Sequence, residues 1–482
     1  MPDTNFREKQ GSFRLALVVS SLLWLALLLP VTAWARGHTV YVPPPNGVDD
    51  TANIQTALDA CVAYGPGCTV QFPAGNYLTK QLVAYNFRGN FKGVGRDHTI
   101  IAALPYLFVN IEANEPHSLC QPNTTSCFWP GVIIFINGNI EVSDLSVTVP
   151  AQPGTATLPW TFEGVTYVGL LDAMTFTGQH VTATVDRIHL EGRLDPTNQY
   201  FGYNVINALH FTGEFARSLK PWDWYFVSGS FTVRSSSFST AYVGISQDGF
   251  VRSSHITIGG SPDTGNRIEN GYGGIDLETS QNSLFEVSYN ESSGSGAAAW
   301  VLPWFPEFVS KSPSQYLIHH NKFIATAAQN ADAMFLDDDT SNPWIQAAVW
   351  NNRAEVQGTL SEGIGAYNTK GTAIWNNTVT GPDGNDAIGL WNSTRSTVIG
   401  NNVTGFSVDS TYGLAQIYLD PSTTYDLVVC AERSDAVLNQ GINNTIIGCQ
   451  QPAATSETAA KTGTPASSTP KPDVLKRKPW LR

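Results

Sequence analysis

The sequence predicts an all-β protein whose short strands stack as the coils of a solenoid. Three segments, VWNNRAEVQG, IWNNTVTG and IGNNVTG, place Asn351, Asn376 and Asn401 25 residues apart. A fixed period in this range indicates stacked repeats. Short apolar strands with Asn and Gly at their turns, and no helical pattern between them, predict that each repeat is a coil of β-structure.

Looser copies of the Asn-rich segment extend this pattern along the chain. They are VSYNESSG, HHNKFIA and INNTIIG, while EFARSLKPWDWYF and WVLPWFPEFVS are predicted to be loops outside the coils. Asn376 and Asn402 also lie in N-x-S/T sequons, but we interpret them as turn residues because Asn tolerates the left-handed backbone. The repeat already explains their positions.

The charge of the chain excludes one class of partner. The whole chain has a formal net charge of −13. Residues 1–35 carry a net +1 and residues 451–482 a net +4, so the body between them carries a net charge of −18. A nucleic acid would be repelled by such a body. A strongly anionic polymer would be repelled too, unless a cation or a local basic patch intervened.

Both ends of the chain differ in composition from the body. Three basic residues precede the apolar run 15–31, which ends at TAWAR, so residues 1–35 are predicted to be a secretory signal, with a retained anchor as the alternative. No other segment is predicted to enter a membrane. Residues 451–482 are rich in Ala, Thr, Ser and Pro and are predicted to be a disordered tail.

Six cysteines are expected to form disulfides if the protein is exported. They fall in close pairs, and although six allow fifteen pairings, local pairing is the simplest prediction. The predicted pairs are Cys61–Cys68, Cys120–Cys127 and Cys430–Cys449. We expect each to stabilise a loop at an end or edge of the fold, and the protein to be secreted, extracellular or periplasmic.

The segment after the signal predicts one helix. Asp49, Asp50 and Thr51 are helix-start residues, and apolar residues recur at helical spacing after them, so an amphipathic helix is predicted over Thr51–Ala63. GCTVQFPAGNYLT follows as strand, turn and strand. Asp49 and Asp50 are accordingly interpreted as caps and not as acids of a site.

This opening resembles that of pectin-lyase-like right-handed parallel β-helix proteins, of the pectate lyase superfamily type. In that family a similar helix covers the end of the solenoid, and FPAG.Y begins the first coils. The resemblance implies one right-handed parallel β-helix domain over residues 36–450, with a capping segment at about 46–100. It also implies polysaccharide chemistry, without naming the reaction.

Five later strands can be aligned by their apolar residues. GIDLE, MFLDD, IGAYN, IGLWN and IYLDP place one inward-facing column in register, because alternate residues of a strand share a face. That column is Leu277, Leu336, Ala366, Leu390 and Leu419. Two outward columns follow: Glu278, Asp337, Tyr367, Trp391 and Asp420, and Asp276, Phe335, Gly365, Gly389 and Tyr418.

The outward columns predict a site for a sugar polymer. With adjacent coils about 4.8 Å apart, Asp276, Glu278 and Asp337 are expected to form an acidic cluster, with Asp338 in the next turn. Two carboxyls at this spacing suit glycoside hydrolysis, and we assign Glu278 as proton donor and Asp337 with Asp338 as base or nucleophile. The aromatic residues expected to bind the sugar rings are Phe335, Tyr367, Trp391 and Tyr418.

Two simpler interpretations of these acids stay open. They could form a solvated polar face, or Asp337, Asp338 and Asp339 could hold Ca²⁺ through oxygen ligands. No other cofactor is expected. A third interpretation, from a different class, is a non-catalytic β-helix that binds carbohydrate at a surface, as a monomer or a trimer.

The resemblance to pectate lyases implies a competing reaction, calcium-assisted β-elimination of a uronic acid polymer. Its base would be an Arg or Lys, and the candidates are Arg252, Lys322 and Arg353, with His255 and His210 as less usual choices. The sequence has no basic cluster of the lyase type near the acids. The Gly-His-Gly and Arg-x-Lys motifs of polygalacturonases are also missing.

Overall fold

The structure is a computed structural model. It describes residues 37–104, 131–150, 160–162, 165–167, 172–194, 203–212, 227–248, 251–278, 280–302, 312–338, 345–407 and 415–451. Contacts divide the chain into two compact units, residues 1–38 and 39–482, and every feature below belongs to the second. The predicted signal and, apart from Gln451, the predicted tail lie outside the described residues.

Parallel strands dominate the described part of the chain. Thirty-three of the strands there form one continuous ladder of neighbours, which winds around three faces that we call sheets 1, 2 and 3. Sheet 1 contains the start of Leu82–Lys92 and of Gly131–Ser143, then Asp172–Thr177, Asn207–Thr212, Val243–Asp248, the ends of Arg267–Leu277 and of Glu291–Val301, Asp332–Asp337, Glu362–Tyr367, Asp386–Trp391, Ile417–Leu419 and Val437–Asn439.

Sheets 2 and 3 complete each coil. Sheet 2 contains Thr39–Tyr41, Cys68–Gln71, the ends of Leu82–Lys92 and Gly131–Ser143, Val181–Asp186, Gly229–Arg234, His255–Gly259, Leu284–Ser288, Ser314–His319, Ile345–Trp350, Ala373–Trp375, Thr397–Ile399, Leu427–Val429 and Thr445–Ile447. Sheet 3 contains Gly75–Thr79, Thr99–Ala103, Ser146–Thr148, His189–Glu191, Ser237–Ser239, the starts of Arg267–Leu277 and Glu291–Val301, Lys322–Ala325, Arg353–Val356, Thr378–Thr380 and Asn402–Thr404. The predicted stacking of coils is thus confirmed.

Two short strand pairs lie apart from this ladder. Val251–Arg252 pairs in parallel with Ser280–Gln281, and Trp160–Phe162 pairs antiparallel with Val165–Tyr167.

One helix precedes the coils, Thr51–Tyr64, which confirms the predicted helix to within one residue. Its buried residues are those of the predicted apolar stripe: Ile54, Ala57, Leu58 and Cys61. Asp50 makes no side-chain cap. Its two carboxylate oxygens accept the N–H groups of Asn46 and Leu78 instead, at 2.8 and 3.0 Å, so Asp50 joins the helix start to the first coils. Within the described ranges, no helix has the length and apolar character needed to cross a bilayer.

Aromatic side chains fill much of the solenoid interior. Phe91, Phe135, Phe176 and Phe211 are fully buried, with ring centroids 5.8, 5.3 and 5.6 Å apart from one coil to the next. Phe135, Phe176 and Phe211 are ladder partners on successive coils, so each of these rings covers the next. Phe91 belongs to sheet 2 and meets Phe135 edge to face at 78°. This stacking supplies the hydrophobic contact that holds neighbouring coils together.

An asparagine ladder fixes the turn between sheets 2 and 3. Each ladder Asn donates its Nδ2 and its backbone N–H to the Oδ1 of the next, at 2.9–3.1 Å. The members are Asn266, Asn290, Asn321, Asn352, Asn377 and Asn401. The predicted alignment of Asn351 and Asn376 with Asn401 was wrong by one residue. Asn351 and Asn376 occupy the preceding left-handed position, at φ 54°, and Gly400 takes that position in the last turn at φ 62°.

Two of the three predicted disulfides are confirmed. Cys61–Cys68 joins the helix to the first strand after it, and Cys430–Cys449 joins the last two coils, with Cα–Cα distances of 5.4 and 5.3 Å. Cys120 and Cys127 lie outside the described residues, so their pairing stays a prediction.

Candidate active site on the outer face of sheet 1

The outer face of sheet 1 carries three columns of side chains. The middle column runs through Thr175, His210, Ser246, Asp276, Trp300, Phe335, Gly365, Gly389 and Tyr418. Continuing the same register beyond the paired residues, a second column at the ends of the strands holds Thr212, Glu278, Leu302, Asp337, Tyr367, Trp391 and Asp420. A third, at their starts, holds Asp172, Asn207, Val243, Gly273, Ala297, Asp332, Glu362 and Asp386.

The predicted register is right, but one coil is missing from it. Leu336, Ala366, Leu390 and Leu419 are ladder partners in sequence, whereas Val301 lies between Leu277 and Leu336. Trp300 and Val301, predicted to begin a loop, end this extra strand. Its last residues, AAAWV, do not alternate between polar and apolar side chains, because both faces of the strand are buried there. The expected contact of Glu278 with Asp337 on neighbouring strands was therefore wrong.

Asp276 and Glu278 lie on the outer face, but they are not open to water. Each is 2% exposed, so the alternative of a solvated polar face is wrong for these two acids. Beside them, a second hydrophobic cluster covers the outer face: Ile206, Tyr242, Val243, Ala297, Trp300, Leu302 and Phe335. Burial holds the pKa of Tyr242 well above its usual value, and the nearby Tyr272, Asp276 and Glu278 add to this rise. The acids thus share a dry environment with a tyrosine.

The four predicted sugar-binding rings form one continuous run. Ring centroids are 4.8 Å apart for Phe335 and Tyr367, 5.8 Å for Tyr367 and Trp391, and 4.6 Å for Trp391 and Tyr418. Phe335 and Tyr418 are buried, and Tyr367 and Trp391 are half-buried. The rings therefore cover much of each other's faces, and Tyr367 and Trp391 are the members that offer surface.

Glu362 lies under these rings and was missed by the sequence analysis. It is fully buried, and its Oε1 accepts hydrogen bonds from Tyr367 Oη at 2.7 Å and Trp391 Nε1 at 3.0 Å. Strict alternation from Ile364 places Glu362 inside the solenoid, but the chain bends where the strand begins. The sequence signal that could have indicated a buried side chain here is the pair Gly365 and Gly389. A Cβ at Gly365 would clash with the Glu362 carboxylate, and one at Gly389 with Trp391.

Two more carboxylates flank Glu362 in its column. Asp332 Oδ1 accepts the backbone N–H of Glu362 at 3.0 Å, and Asp386 Oδ1 accepts that of Ala415 at 2.8 Å. Burial raises the pKa of Tyr367 well above its usual value, and the charges of Glu362 and Asp332 raise it further. Tyr367 is accordingly a hydrogen-bond donor here, not a base.

Asp337 and Asp338 lie on different sides of their strand. Asp337 is half-buried, and its Oδ1 accepts Asn368 Nδ2 at 2.8 Å. Asp338 is buried and contributes to the raised pKa of Tyr316, an interior ring, for which burial is the larger cause. Asp339 lies outside the described residues. In the part of the chain that the structure describes, no cluster of three or more His, Cys, Asp or Glu could hold a metal ion.

A buried histidine and aspartate lie at the other end of the face. His210 Nδ1 is 2.6 Å from Asp172 Oδ2, and both residues are fully buried. Asn207 Nδ2 and Thr175 Oγ1 also donate to Asp172, each at 3.0 Å. Sequence reasoning named His210 but not Asp172, which is 38 residues away; only the stacking of their coils joins them.

Among the five basic residues proposed for a lyase, only His210 lies on this face. Lys322 and Arg353 are on sheet 3, where their side chains approach Glu291 and Glu355 at 2.7 and 3.6 Å. His255 is exposed on sheet 2. Arg252 donates to Gln281 at 3.1 Å in the separate short strand pair.

Solved structures share the architecture. DFA-IIIase from Arthrobacter chlorophenolicus A6, without its lid and in complex with GF2, aligns over 85% of this chain and 98% of its own at TM-score 0.50 and 13% identity. The mannuronan C-5 epimerase AlgE6 A-module of Azotobacter vinelandii aligns over 84% and 96% at TM-score 0.47 and 14% identity. The fold is a right-handed parallel β-helix.

The Dettilon tailspike protein gp208 has the same β-helix architecture, over 85% of this chain and 68% of its own, at TM-score 0.47 and 12% identity. No family model and no curated protein matches the sequence. At these identities, the likeness of this β-helix to its structural neighbours shows the fold alone.

Proposed function

We propose that this β-helix is a secreted polysaccharide-active enzyme that hydrolyses glycosidic bonds on the outer face of sheet 1. The observation that carries the proposal is the register of Glu278 and Asp337, which are two strands apart in one outward column. Two strand spacings are about 9.6 Å. The two carboxyls of inverting glycosidases lie about 6.5–9.5 Å apart, with room for a water between, so the proposal requires the two side chains to lean slightly toward each other from this backbone spacing.

The two carboxyls have environments suited to opposite roles. Glu278 is 2% exposed, and Leu302 is its neighbour in the outward column; we assign it the role of proton donor, which needs a neutral carboxyl. Asp337 is half-exposed and held by Asn368, as suits a base that must meet water. Asp338, which lies on the other side of the strand, has no part in the proposed reaction.

In the proposed reaction, Glu278 gives its proton to the glycosidic oxygen as the bond to the anomeric carbon breaks. Asp337 removes a proton from a water molecule, whose oxygen bonds to that carbon from the opposite face. The products are two shorter glycans, with the configuration inverted at the new reducing end. Glu278 is 2% exposed, so substrate reaches it only after the covering side chains move.

The aromatic run supplies the proposed binding surface next to the acids. Tyr367 and Trp391 offer half-exposed rings, and Glu362 fixes both through hydrogen bonds. Aromatic rings contact the apolar faces of sugars and position them without charge. DFA-IIIase is a structural neighbour at only 13% identity, so the proposal is supported by the residues of this face and not by that likeness.

A second candidate reaction, β-elimination of a uronic acid polymer, is favoured by the position of His210. His210 Nδ1 lies 2.6 Å from Asp172 Oδ2 on the same face, and a histidine held by an aspartate is a candidate general base. The calcium set predicted at Asp337, Asp338 and Asp339 is not assembled by the described residues, since Asp338 faces away from Asp337. We therefore write no step through a metal.

One assay set separates the candidates. The purified protein is incubated with plant and bacterial polysaccharides, with and without chelator, while reducing ends and the ultraviolet absorbance of unsaturated uronate are followed. New reducing ends without unsaturation support hydrolysis, and unsaturated product supports elimination. Polymers that retard the protein in a gel but stay uncleaved identify a binding protein and refute both reactions.

The proposed setting is extracellular or periplasmic. The predicted signal at residues 1–35 and the two observed disulfides support export. N-terminal sequencing of the mature protein tests it: a start near residue 36 is expected, whereas an intact Met1 means a retained anchor or no export. Light scattering distinguishes the monomer from the trimer.

A further inference from the structure

We infer that Glu362 makes the aromatic half of this face specific for an uncharged polysaccharide and selects against polyuronates. The inference rests on the proposed function only in placing a glycan on the outer face of sheet 1. The aromatic half is defined here as the outward residues of strands Asp332–Asp337, Glu362–Tyr367, Asp386–Trp391 and Ile417–Leu419, with Asp420.

Each of the four strands of this half carries at least one outward carboxylate, counting Asp420 directly after the last strand. Asp332, Glu362 and Asp386 occupy one column on three successive strands, about 4.8 Å apart. Asp337 and Asp420 occupy the column at the strand ends, on either side of Tyr367 and Trp391. A polymer lying along the rings therefore has carboxylates on one flank and at both ends of the ring run.

Each of these groups accepts hydrogen bonds from neighbouring donors. Glu362 accepts from Tyr367 and Trp391. Asp420 accepts from the Asn392 N–H at 2.9 Å and from the Ser422 and Thr423 hydroxyls at 2.9 and 2.7 Å. In all their described contacts on this half, the five carboxylates act as acceptors.

Glu362 has the strongest position to discriminate between sugars. It is fully buried beneath the two half-exposed rings, where solvent screens its charge poorly. A uronate carboxylate above Tyr367 or Trp391 would meet that charge without an opposite one, and no outward side chain among the described residues of this half is basic. Lys370 and Arg395 are exposed in the turns that follow sheet 1, where water and salt screen them.

A neutral hexose, in contrast, meets only the rings and hydrogen-bond acceptors. Its hydroxyls can donate to carboxylate oxygens, and its C–H groups can contact the exposed edges of Tyr367 and Trp391. The same face therefore favours an uncharged chain and repels its oxidised form.

The test uses one soluble neutral polysaccharide at a time and the same polymer after oxidation of its C6 hydroxymethyl groups to carboxylates. Affinity is measured by retardation in native gels, which needs no cleavage. At low salt we expect about tenfold tighter binding of the neutral form, and a smaller difference at high salt because the repulsion is screened. Equal or tighter binding of the oxidised form, with or without added Ca²⁺, would overturn the inference, as would a panel in which no neutral polymer binds.

Glu362→Gln assigns the effect to this residue, since the amide oxygen can still accept from Tyr367 and Trp391. We expect the ratio of the two affinities, for the neutral and for the oxidised polymer, to fall severalfold. Glu355→Gln, which removes the same charge from sheet 3, is the matched control and should change neither. An unchanged preference in a folded Glu362→Gln protein would refute the role of Glu362. Binding without cleavage refutes the proposed hydrolysis alone.

Discussion

Glu278 and Asp337 are the residues on which the proposed reaction depends. Glu278 is 2% exposed, whereas Asp337 is half-buried and accepts Asn368 Nδ2. A strand whose outer residues here are Trp300 and Leu302 lies between them. Trp300 and Leu302 are 3% and 2% exposed, so the proposed reaction needs the covering side chains to move before a sugar can lie here. The distance between Glu278 and Asp337 follows from the regular spacing of the strands, which is the same along the whole solenoid.

We predict that Glu278→Gln and Asp337→Asn each lower kcat by about 10²–10⁴, because each removes one proton transfer. Initial rates of reducing-end formation measure the effect, and circular dichroism verifies the fold. Glu286→Gln, on the outer face of sheet 2, is the matched control and should retain full activity. Full activity in folded Glu278→Gln would exclude this residue as the acid.

A separate titration is expected from Asp426. Burial raises its pKa from 3.8 to about 6, although the N–H of Ser396 opposes this. A carboxyl whose pKa is higher in the folded state favours folding only while protonated, so the free energy of unfolding should fall between about pH 4 and pH 6, by at most about 3 kcal/mol. Asp426→Asn should remove that fall in chemical denaturation; an unchanged pH dependence would contradict the assignment.

At the scale of the elements, the stacking of coils brings together site residues that are far apart in the sequence. The stacking of coils and the register of the last strands could be predicted from the sequence. In these strands inward and outward residues alternate, and the inward residues are Leu336, Ala366, Leu390 and Leu419. The coil that ends at Val301 could not be predicted, since a strand buried on both faces has no alternation. Glu362 was lost for a related reason: a bend at the strand start reverses its side. His210 and Asp172 meet only through stacking, which no single strand reveals.

The asparagine ladder gives the element-scale prediction. Asn352 makes its ladder bonds to Asn321 and Asn377 and also donates to the Ile318 carbonyl at 2.9 Å. Asn352→Ala should lower the free energy of unfolding by about 3 kcal/mol, because buried partners lose their bonds. Asn351→Gly, at the adjacent left-handed position, should have almost no effect. Equal losses in urea denaturation would refute the ladder's role.

At the scale of the whole molecule, a solenoid is stabilised by contacts between neighbouring coils. Cys430–Cys449 closes the last two coils over 19 residues. Replacing both cysteines with Ser should cost about 3 kcal/mol and should loosen Leu427–Val429 and Thr445–Ile447 first. Hydrogen exchange measures this locally. Uniform loss of protection along the whole solenoid would show instead that the coils unfold as one unit.

The central claim, hydrolysis on the outer face of sheet 1, is tested most directly by the products formed from a bound polysaccharide. We expect new reducing ends of inverted anomeric configuration in nuclear magnetic resonance spectra taken early in the reaction, with no unsaturated uronate, and none of this product from Glu278→Gln. Unsaturated ends, or equal cleavage by Glu278→Gln, would contradict the claim.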